Sequence, residues 1–524
     1  MTEPSAHAVR SRAWARIGLP DFAFLAALVA ASGAMRWKGV RLWLWIDEGL
    51  SVGVASKPLG RLHEVLRGDG APPLYYLLLK PWMAVFGRGE VALHALSLVF
   101  ALAMIPAALW AGWSLFGRRV GWICAVLTAT NPLLTAFSVE ARSYSLMALL
   151  ALLMVATFLH AFAFGRRRMI PAFVASTTVL LYTHNWGLYL VVGAALALVP
   201  IALLRADRRR LVIDSALAFG AVGLLFLPWL PTLLDQTRHT GAPWSPIPDV
   251  GDLIDAAGVV MGTVTAAGVV ALVALIGFVR SPRPRGRQAA AIVAGMSLVA
   301  VPLLLGWVVS QFEPNWATRY LVAVTGAALL VGAAGLARAW WVGVAMTAII
   351  AVAWVGPISA FQSGPRPRLD IRANVKEIAA QLRPQLRAGD LVISAHPEQV
   401  PVVHYYLKGR FRFATPMGPV PDDDIFDWRD VVERLRRSTP AHDLVPLVDD
   451  LAVGRRIALL QPVDTFAIHN PEYVELFQAR SEQWEAALRR DPRLRVVGRA
   501  QSQDRPKRIR DPSLSALVFE KVSA

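Results

Sequence analysis

The sequence predicts an α-helical polytopic membrane protein of about eleven transmembrane helices, carrying a C-terminal external α/β domain. Three observations predict it. Mean hydropathy is +0.45 and only 17% of residues are charged, too apolar for an ordinary soluble chain. Apolar runs near 20 residues recur, the length a helix needs to cross a hydrocarbon core of roughly 30 Å. Beyond about residue 365 these runs stop, and helix-period and strand-period segments alternate.

Arginines order the spans. The net charge of +17 raises the question of nucleic-acid binding. Most arginines, however, fall in short loops between apolar runs, which marks the cytoplasmic face of a membrane protein and not a nucleic-acid surface. The loops are the N-terminus (Arg10, Arg12, Arg16), Arg118–Arg119, Arg166 to Arg168, Arg205 with Arg208 to Arg210, Arg280 to Arg287, and Arg338. Successive cytoplasmic loops must be separated by an even number of spans. The run "APPLYYLLLKPWMAVFG", 71–87, is short and holds Lys80 and Pro81. Counting it as a span reverses every later loop. Treating it as an interfacial or re-entrant helix makes all loops agree.

The expected spans then lie near 17–36, 91–116, 120–138, 140–164, 169–185, 188–204, 211–234, 256–280, 289–311, 320–338 and 342–361. The first run, from Ile17, lacks a small-residue cleavage site and reads as a retained span. The N-terminus is expected inside. Residues 1–364 form the membrane domain, with external loop helices at about 37–90, and residues 365–524 form the external domain. In that domain "DLVISAH", "RIALLQPV", "RLRVVGR" and "LSALVFEKV" read as strands; "RANVKEIAAQLRPQL" and "EYVELFQARSEQWEAALRR" read as helices. It has no Gly-rich phosphate loop and no Cys/His cluster. The one cysteine, Cys124, lies in an apolar run, so no internal disulfide can form. The preference for Arg over Lys suggests a GC-rich bacterial source.

This topology gathers polar residues on the outer face. The first external loop holds Asp47, Glu48, His63, Glu64, Arg67, Asp69 and "APPLYY"; others hold "SVEARSYSL" (138–146), "YTHNWGLY" (182–189), Asp235 to Asp249, and "EPNWATRY" (313–320). Ionisable groups near membrane depth are costly and are generally kept for function. Plain structural roles compete. Asp47 and Glu48 suit a helix N-terminus. Adjacent acids diverge by about 100° on a helix, so one of the two faces any given site. Glu140 and Tyr144 are spaced to share a helix face, and Glu140 with Arg142 could form a local pair. His184 could be a satisfied core histidine. Arg319 and Tyr320 could be interface anchors.

The segments "WIDEGLSV", "PPLYYLLLKPW", "SVEARSYSLMALLALL" and "ATRYLV", in this order and sidedness, resemble the GT-C superfamily of membrane glycosyltransferases. The nearest branch is the bacterial one related to lipopolysaccharide-core and protein-mannosyl transferases. One departure is Ala71, where many relatives place a histidine before the proline pair. The resemblance implies a polyprenyl-phosphate sugar donor, mannose or arabinose first among the sugars, and a lipid, glycan or protein acceptor of the cell envelope. It places the reaction on the outer side of a bacterial cytoplasmic membrane. Asp47 is then the expected base, with Glu48 second, and Glu140 orients the acceptor or a metal. Arg142, Tyr144, His184, Arg319 and Tyr320 are the expected donor and phosphate contacts. A divalent metal such as Mg or Mn is compatible with the carboxylates. A transporter or flippase, or a scaffold displaying the C-terminal domain, would share the spans. A transporter favours paired halves and broken helices at the midplane, and a scaffold has no need of acids in separate external loops.

Overall fold

The computed structural model describes residues 18–205, 207–280, 284–363, 374–463, 471–502 and 513–524. Arg10, Arg12 and Arg16, part of the Arg280–Arg287 loop, and the expected domain boundary at 364–365 lie outside the described residues. The chain is a multi-pass membrane protein. Among the described residues six helices are long and apolar enough to cross a membrane. A seventh counts if the pair Val250–Val260 and Val264–Arg280, bent by 72°, is one span.

The chain opens with α1 (Leu19–Arg36) and a 3-10 turn. The segment that follows forms α2 (Ile46–Ser56), α3 (Leu59–Asp69) and α4 (Leu74–Phe86). The bundle continues through α5 (Glu90–Phe116), α6 (Arg118–Thr130), α7 (Pro132–Phe137), α8 (Tyr144–Phe158), α9 (Ile170–Leu181) and α10 (Gly187–Leu203). It ends with α11 (Arg208–Phe226), α12 (Leu230–His239), α13 (Val250–Val260), α14 (Val264–Arg280), α15 (Arg287–Val309), α16 (Val322–Arg338) and α17 (Trp340–Ser363).

Helices stand at all the expected spans, but several are shorter than a bilayer crossing. The run at 120–138 is two helices, because Pro132 cannot donate to the ladder and Asn131 Oδ1 caps the second by accepting from Leu134 N at 3.0 Å. The 12 residues of α9 extend only about 18 Å. The span expected from residue 140 begins at Tyr144, which removes the helix face that Glu140 was expected to share with it.

The 71–87 run is the 13-residue α4, with Pro81 inside it. Its Lys80 is not a stray charge. Lys80 Nζ donates to the carbonyls of Ala55, Ser56 and Lys57 at 3.3, 3.5 and 2.7 Å, capping the C-terminus of α2. Arg36 is likewise buried and joins α1 to α6 and α7, donating to Ser32 Oγ, Thr128 O and Thr135 Oγ1.

The C-terminal domain comprises α18 (Val375–Leu382), β1 (Leu391–Ser394), α19 (Val400–Leu407), β2 (Arg412–Thr415), β3 (Gly418–Pro419), α20 (Val431–Arg437), α21 (Val445–Asp449), β4 (Arg456–Pro462), α22 (Glu472–Arg490), β5 (Leu494–Gln501) and β6 (Leu514–Lys521). The sheet order is β3-β2-β1-β4-β6-β5. β1 runs parallel to both β2 and β4; the other pairs are antiparallel. The four strands expected from sequence are present. The edge pair β2–β3 was not expected, since "RFAT" is too short to show a period of two.

This domain packs on α2. Gly49 and Gly53, one turn apart, admit α19 and the loop after β3. A Cβ on Gly49 would sit 2.6 Å from Val402 Cβ, and one on Gly53 would overlap the Asp424 carbonyl. Lys57 Nζ pairs with Asp422 at 2.5 Å and Asp424 at 2.9 Å, and His404 Nδ1 lies 3.1 Å from Asp424 Oδ1. The Tyr406 hydroxyl accepts from Leu44 N at 2.6 Å and donates to Glu90 Oε1 at 2.8 Å. The helix that carries Asp47 is therefore held between the bundle and the sheet domain.

Candidate active site

The two adjacent acids at the start of α2 go different ways. Glu48 is 1% exposed. Its Oε2 accepts from Trp45 N at 3.2 Å, closing the first turn of α2. Its Oε1 accepts from Ala141 N at 2.7 Å and lies 2.8 Å from His94 Nε2 on α5. His94 Nδ1 faces the Val40 carbonyl at 3.0 Å. Both ring nitrogens thus face acceptors, so ring and carboxyl together hold two protons and the pair carries no net charge. Glu48 fastens the start of α2 to the 138–143 turn.

That turn delivers Arg142. Ala141 N is held by Glu48, and the Arg142 carbonyl accepts from Ser97 Oγ at 3.3 Å. The guanidinium reaches back to α2 and α4. Its Nη1 donates to Asp47 O at 3.4 Å, Ser51 Oγ at 3.5 Å and Tyr76 OH at 3.4 Å. Its Nε lies 3.8 Å from Asp47 Oδ2. Arg319, on the 3-10 turn before α16, brings Nη1 to 3.8 Å from the same oxygen. The Arg319 guanidinium stacks on Trp244 at 4.2 Å, with Trp45 at 5.6 Å.

Asp47 therefore sits between two arginines that come from widely separated segments. Asp47 Oδ2, Arg142 Nε and Arg319 Nε are all buried and hydrogen-bond to nothing among the described residues. Native proteins seldom leave such groups unmatched. Asp47, Arg142 and Arg319 border a cavity of about 380 Å³ that is also lined by Asp69, Tyr76, His184, Asn185, Tyr320 and, from the C-terminal domain, Trp428.

Electrostatics sort these groups. Burial opposes the charge on Arg142, but Asp47, Tyr144, Tyr76 and Asp69 outweigh it and hold the guanidinium well above its ordinary value. Burial lifts the Asp69 carboxyl, against Arg142 and the Tyr76 hydroxyl. His184, in the turn between α9 and α10, is pushed down to about 3 by burial and by Arg142 and Arg319, so its ring is neutral. Its Nδ1 accepts from Trp186 N at 3.2 Å, which leaves the proton on Nε2 as a donor. The His184 and Tyr320 rings pack at 4.8 Å, and Tyr144 lies 6.1 Å from His184 and 6.4 Å from Tyr320.

Glu140 lies elsewhere. It lines a second cavity of about 280 Å³ with Trp45, Trp244, Asp252, Trp316 and Arg319. Arg319 and Trp244 border both cavities. Of the remaining external residues, Arg67 pairs with Asp235 at 3.0 Å, and His63 contacts Thr232 at 2.7 Å. Both join α3 to α12. Sequence reasoning did not single out His94, Tyr76 or Trp428. His94 sits in an apolar run, where a lone histidine reads as core.

A metal fits poorly beside Asp47, where two guanidinium groups already face the carboxylate. Among the described residues the one cluster with metal-ligand spacing is His404, Asp423 and Asp424, in the C-terminal domain and already engaged by Lys57.

No family model and no curated protein matches the chain. Solved structures do. ArnT from Cupriavidus metallidurans bound to undecaprenyl phosphate superposes with a TM-score of 0.61 at 16% identity, over 95% of this chain and 98% of that one. Its apo state gives 0.60 at 15% identity over the same shares. The arabinofuranosyltransferase AftD from Mycobacteria gives 0.53 at 14% identity, over 96% of this chain and 40% of that one. At these identities the likeness is one of fold: the chain shares the fold of ArnT and AftD.

Proposed function

We propose that this chain is an inverting membrane glycosyltransferase. It moves a sugar, with mannose and arabinose the first candidates, from a polyprenyl-phosphate donor to a hydroxyl of a cell-envelope acceptor. The observation that carries this reading is the half-buried Asp47 carboxylate flanked by Arg142 and Arg319, each 3.8 Å away, at the edge of a cavity. Asp47 takes the proton from the acceptor hydroxyl. The acceptor oxygen bonds to the anomeric carbon as the bond from that carbon to the phosphate oxygen breaks. The charge left on the polyprenyl phosphate falls to the two guanidinium groups, whose fork matches phosphate oxygens. His184 Nε2 and the Tyr320 ring complete the donor side. The second cavity, with Glu140 among Trp45, Trp244 and Trp316, suits the acceptor. Undecaprenyl phosphate in the similar ArnT supports a lipid phosphate here.

The same reading includes the eleven-span topology, with the shorter helices completing the count. The N-terminus lies in the cytoplasm of a bacterial cell, residues 1–364 form the transferase domain, and residues 365–524 face outward. Purified protein incubated with radiolabelled polyprenyl-phosphate sugars and membrane extract should release polyprenyl phosphate and label one acceptor. If no donor in the panel loses its sugar, the proposal fails. A flippase would instead move donor across a vesicle membrane with its sugar bond intact.

A further inference from the structure

Asp69 borders the cavity that Asp47 borders, yet the reaction as written gives it no part. It is the last residue of α3, next to the "APPLYY" stretch. The Tyr76 hydroxyl, on α4, donates to Asp69 Oδ2 at 2.8 Å. Arg142 Nη1 donates to the Tyr76 oxygen at 3.4 Å, and Arg142 Nε lies 3.8 Å from Asp47 Oδ2. Asp69, Tyr76, Arg142 and Asp47 thus form one connected row drawn from four separate segments.

The direction of the row follows from proton count. A phenol has one proton to donate. Asp69 takes it, so the lone pairs of the Tyr76 oxygen are left for Arg142. Tyr76 is 3% exposed. Fixing one edge of the guanidinium in this way holds Nε beside Asp47 Oδ2, where it has no hydrogen-bond partner among the described residues, on a residue that lines the cavity. We propose that Asp69 is a positioning residue which, through Tyr76, orients Arg142 toward the donor phosphate. The inference rests on the polyprenyl-phosphate reading and assigns part of that site's phosphate recognition to an anion.

The sign of the effect makes it testable. By charge alone, an acid beside the cavity repels a phosphate, and removing it should tighten binding. Positioning predicts the reverse. The probe is undecaprenyl phosphate titrated into the full-length protein in nanodiscs. Asp69→Ala should weaken its affinity about tenfold, as should Tyr76→Phe. The double variant should lose no more than either single, because both act through one row. Asp69→Glu should recover part of the loss. Tighter or unchanged binding in Asp69→Ala overturns the proposal, as do losses that simply add. Should Asp69→Ala not fold, Tyr76→Phe alone decides, since it keeps the packing and removes the link. If the wild-type protein does not bind undecaprenyl phosphate, the functional reading fails with it. If it binds and the variants match it, the positioning role alone fails.

Discussion

Replacing Glu48 should loosen the site's framework without touching the proposed chemistry. Three donors converge on this buried carboxylate: Trp45 N, Ala141 N and His94 Nε2. In Glu48→Gln the amide oxygen still accepts from Ala141 N, but the amide nitrogen then faces Trp45 N–H, donor against donor. One buried donor unmatched costs about 1–3 kcal/mol. Glu48→Ala strands all three donors, a loss of about 3–5 kcal/mol, as for other buried ion pairs stripped of one partner. Hydrogen exchange read by mass spectrometry reports this locally. Peptides covering residues 44–50 and 138–143 should exchange about 5- to 150-fold faster in Glu48→Gln, and faster still in Glu48→Ala. The C-terminal sheet strands should exchange at the wild-type rate. Asp47→Asn should leave both peptides at the wild-type rate. Unchanged exchange at both segments in Glu48→Ala would refute the assignment of Glu48 to structure.

Arg319→Lys keeps the charge but loses the flat stack on Trp244 and the reach to Asp47. Donor kcat/KM should fall by about one to two orders of magnitude, with thermal stability near wild type. Gly49→Val should overpack the contact with Val402 and cost about 1–3 kcal/mol, seen as a lower unfolding temperature and faster proteolytic release of the C-terminal domain. The same contact should respond to pH. The hydrogen bond to Asp424 raises His404 above its ordinary value, and Asp424 is held down to about 2, first by His404 and then by Lys57. A raised histidine stabilises fully below its unfolded value of about 6.5 and loses that contribution as pH rises through the folded value. Limited proteolysis between the domains should therefore speed up as pH rises through the folded value of His404, and His404→Gln should flatten that dependence.

The two halves of the fold were legible because each has its own period. Long apolar runs gave the bundle, and alternating short runs gave the strands of "DLVISAH", "RIALLQPV", "RLRVVGR" and "LSALVFEKV". Span lengths were less legible. The expected span at 120–138 runs across Asn131–Pro132, where the backbone breaks into two helices. Of the site, Asp47, Arg142, Arg319, His184 and Tyr320 could be picked out because they are polar residues close to the ends of apolar runs, and the structure draws them together. Glu48 and Glu140 stand in the same segments but point away from the Asp47 cavity. The direction of Glu48 depends on a long-range partner, His94, which no local pattern encodes, and that of Glu140 on α8 starting only at Tyr144. The C-terminal domain showed no chemistry in sequence. Its part in the site, Trp428 and the packing of α19 on α2, follows only from tertiary contact.

The most direct test is sugar release and transfer by Asp47→Asn beside wild type, each with radiolabelled polyprenyl-phosphate sugars and membrane extract. The account predicts that wild type labels an acceptor, while Asp47→Asn, folded and still binding undecaprenyl phosphate, transfers at least about a hundredfold more slowly. Transfer at the wild-type rate by Asp47→Asn would contradict it.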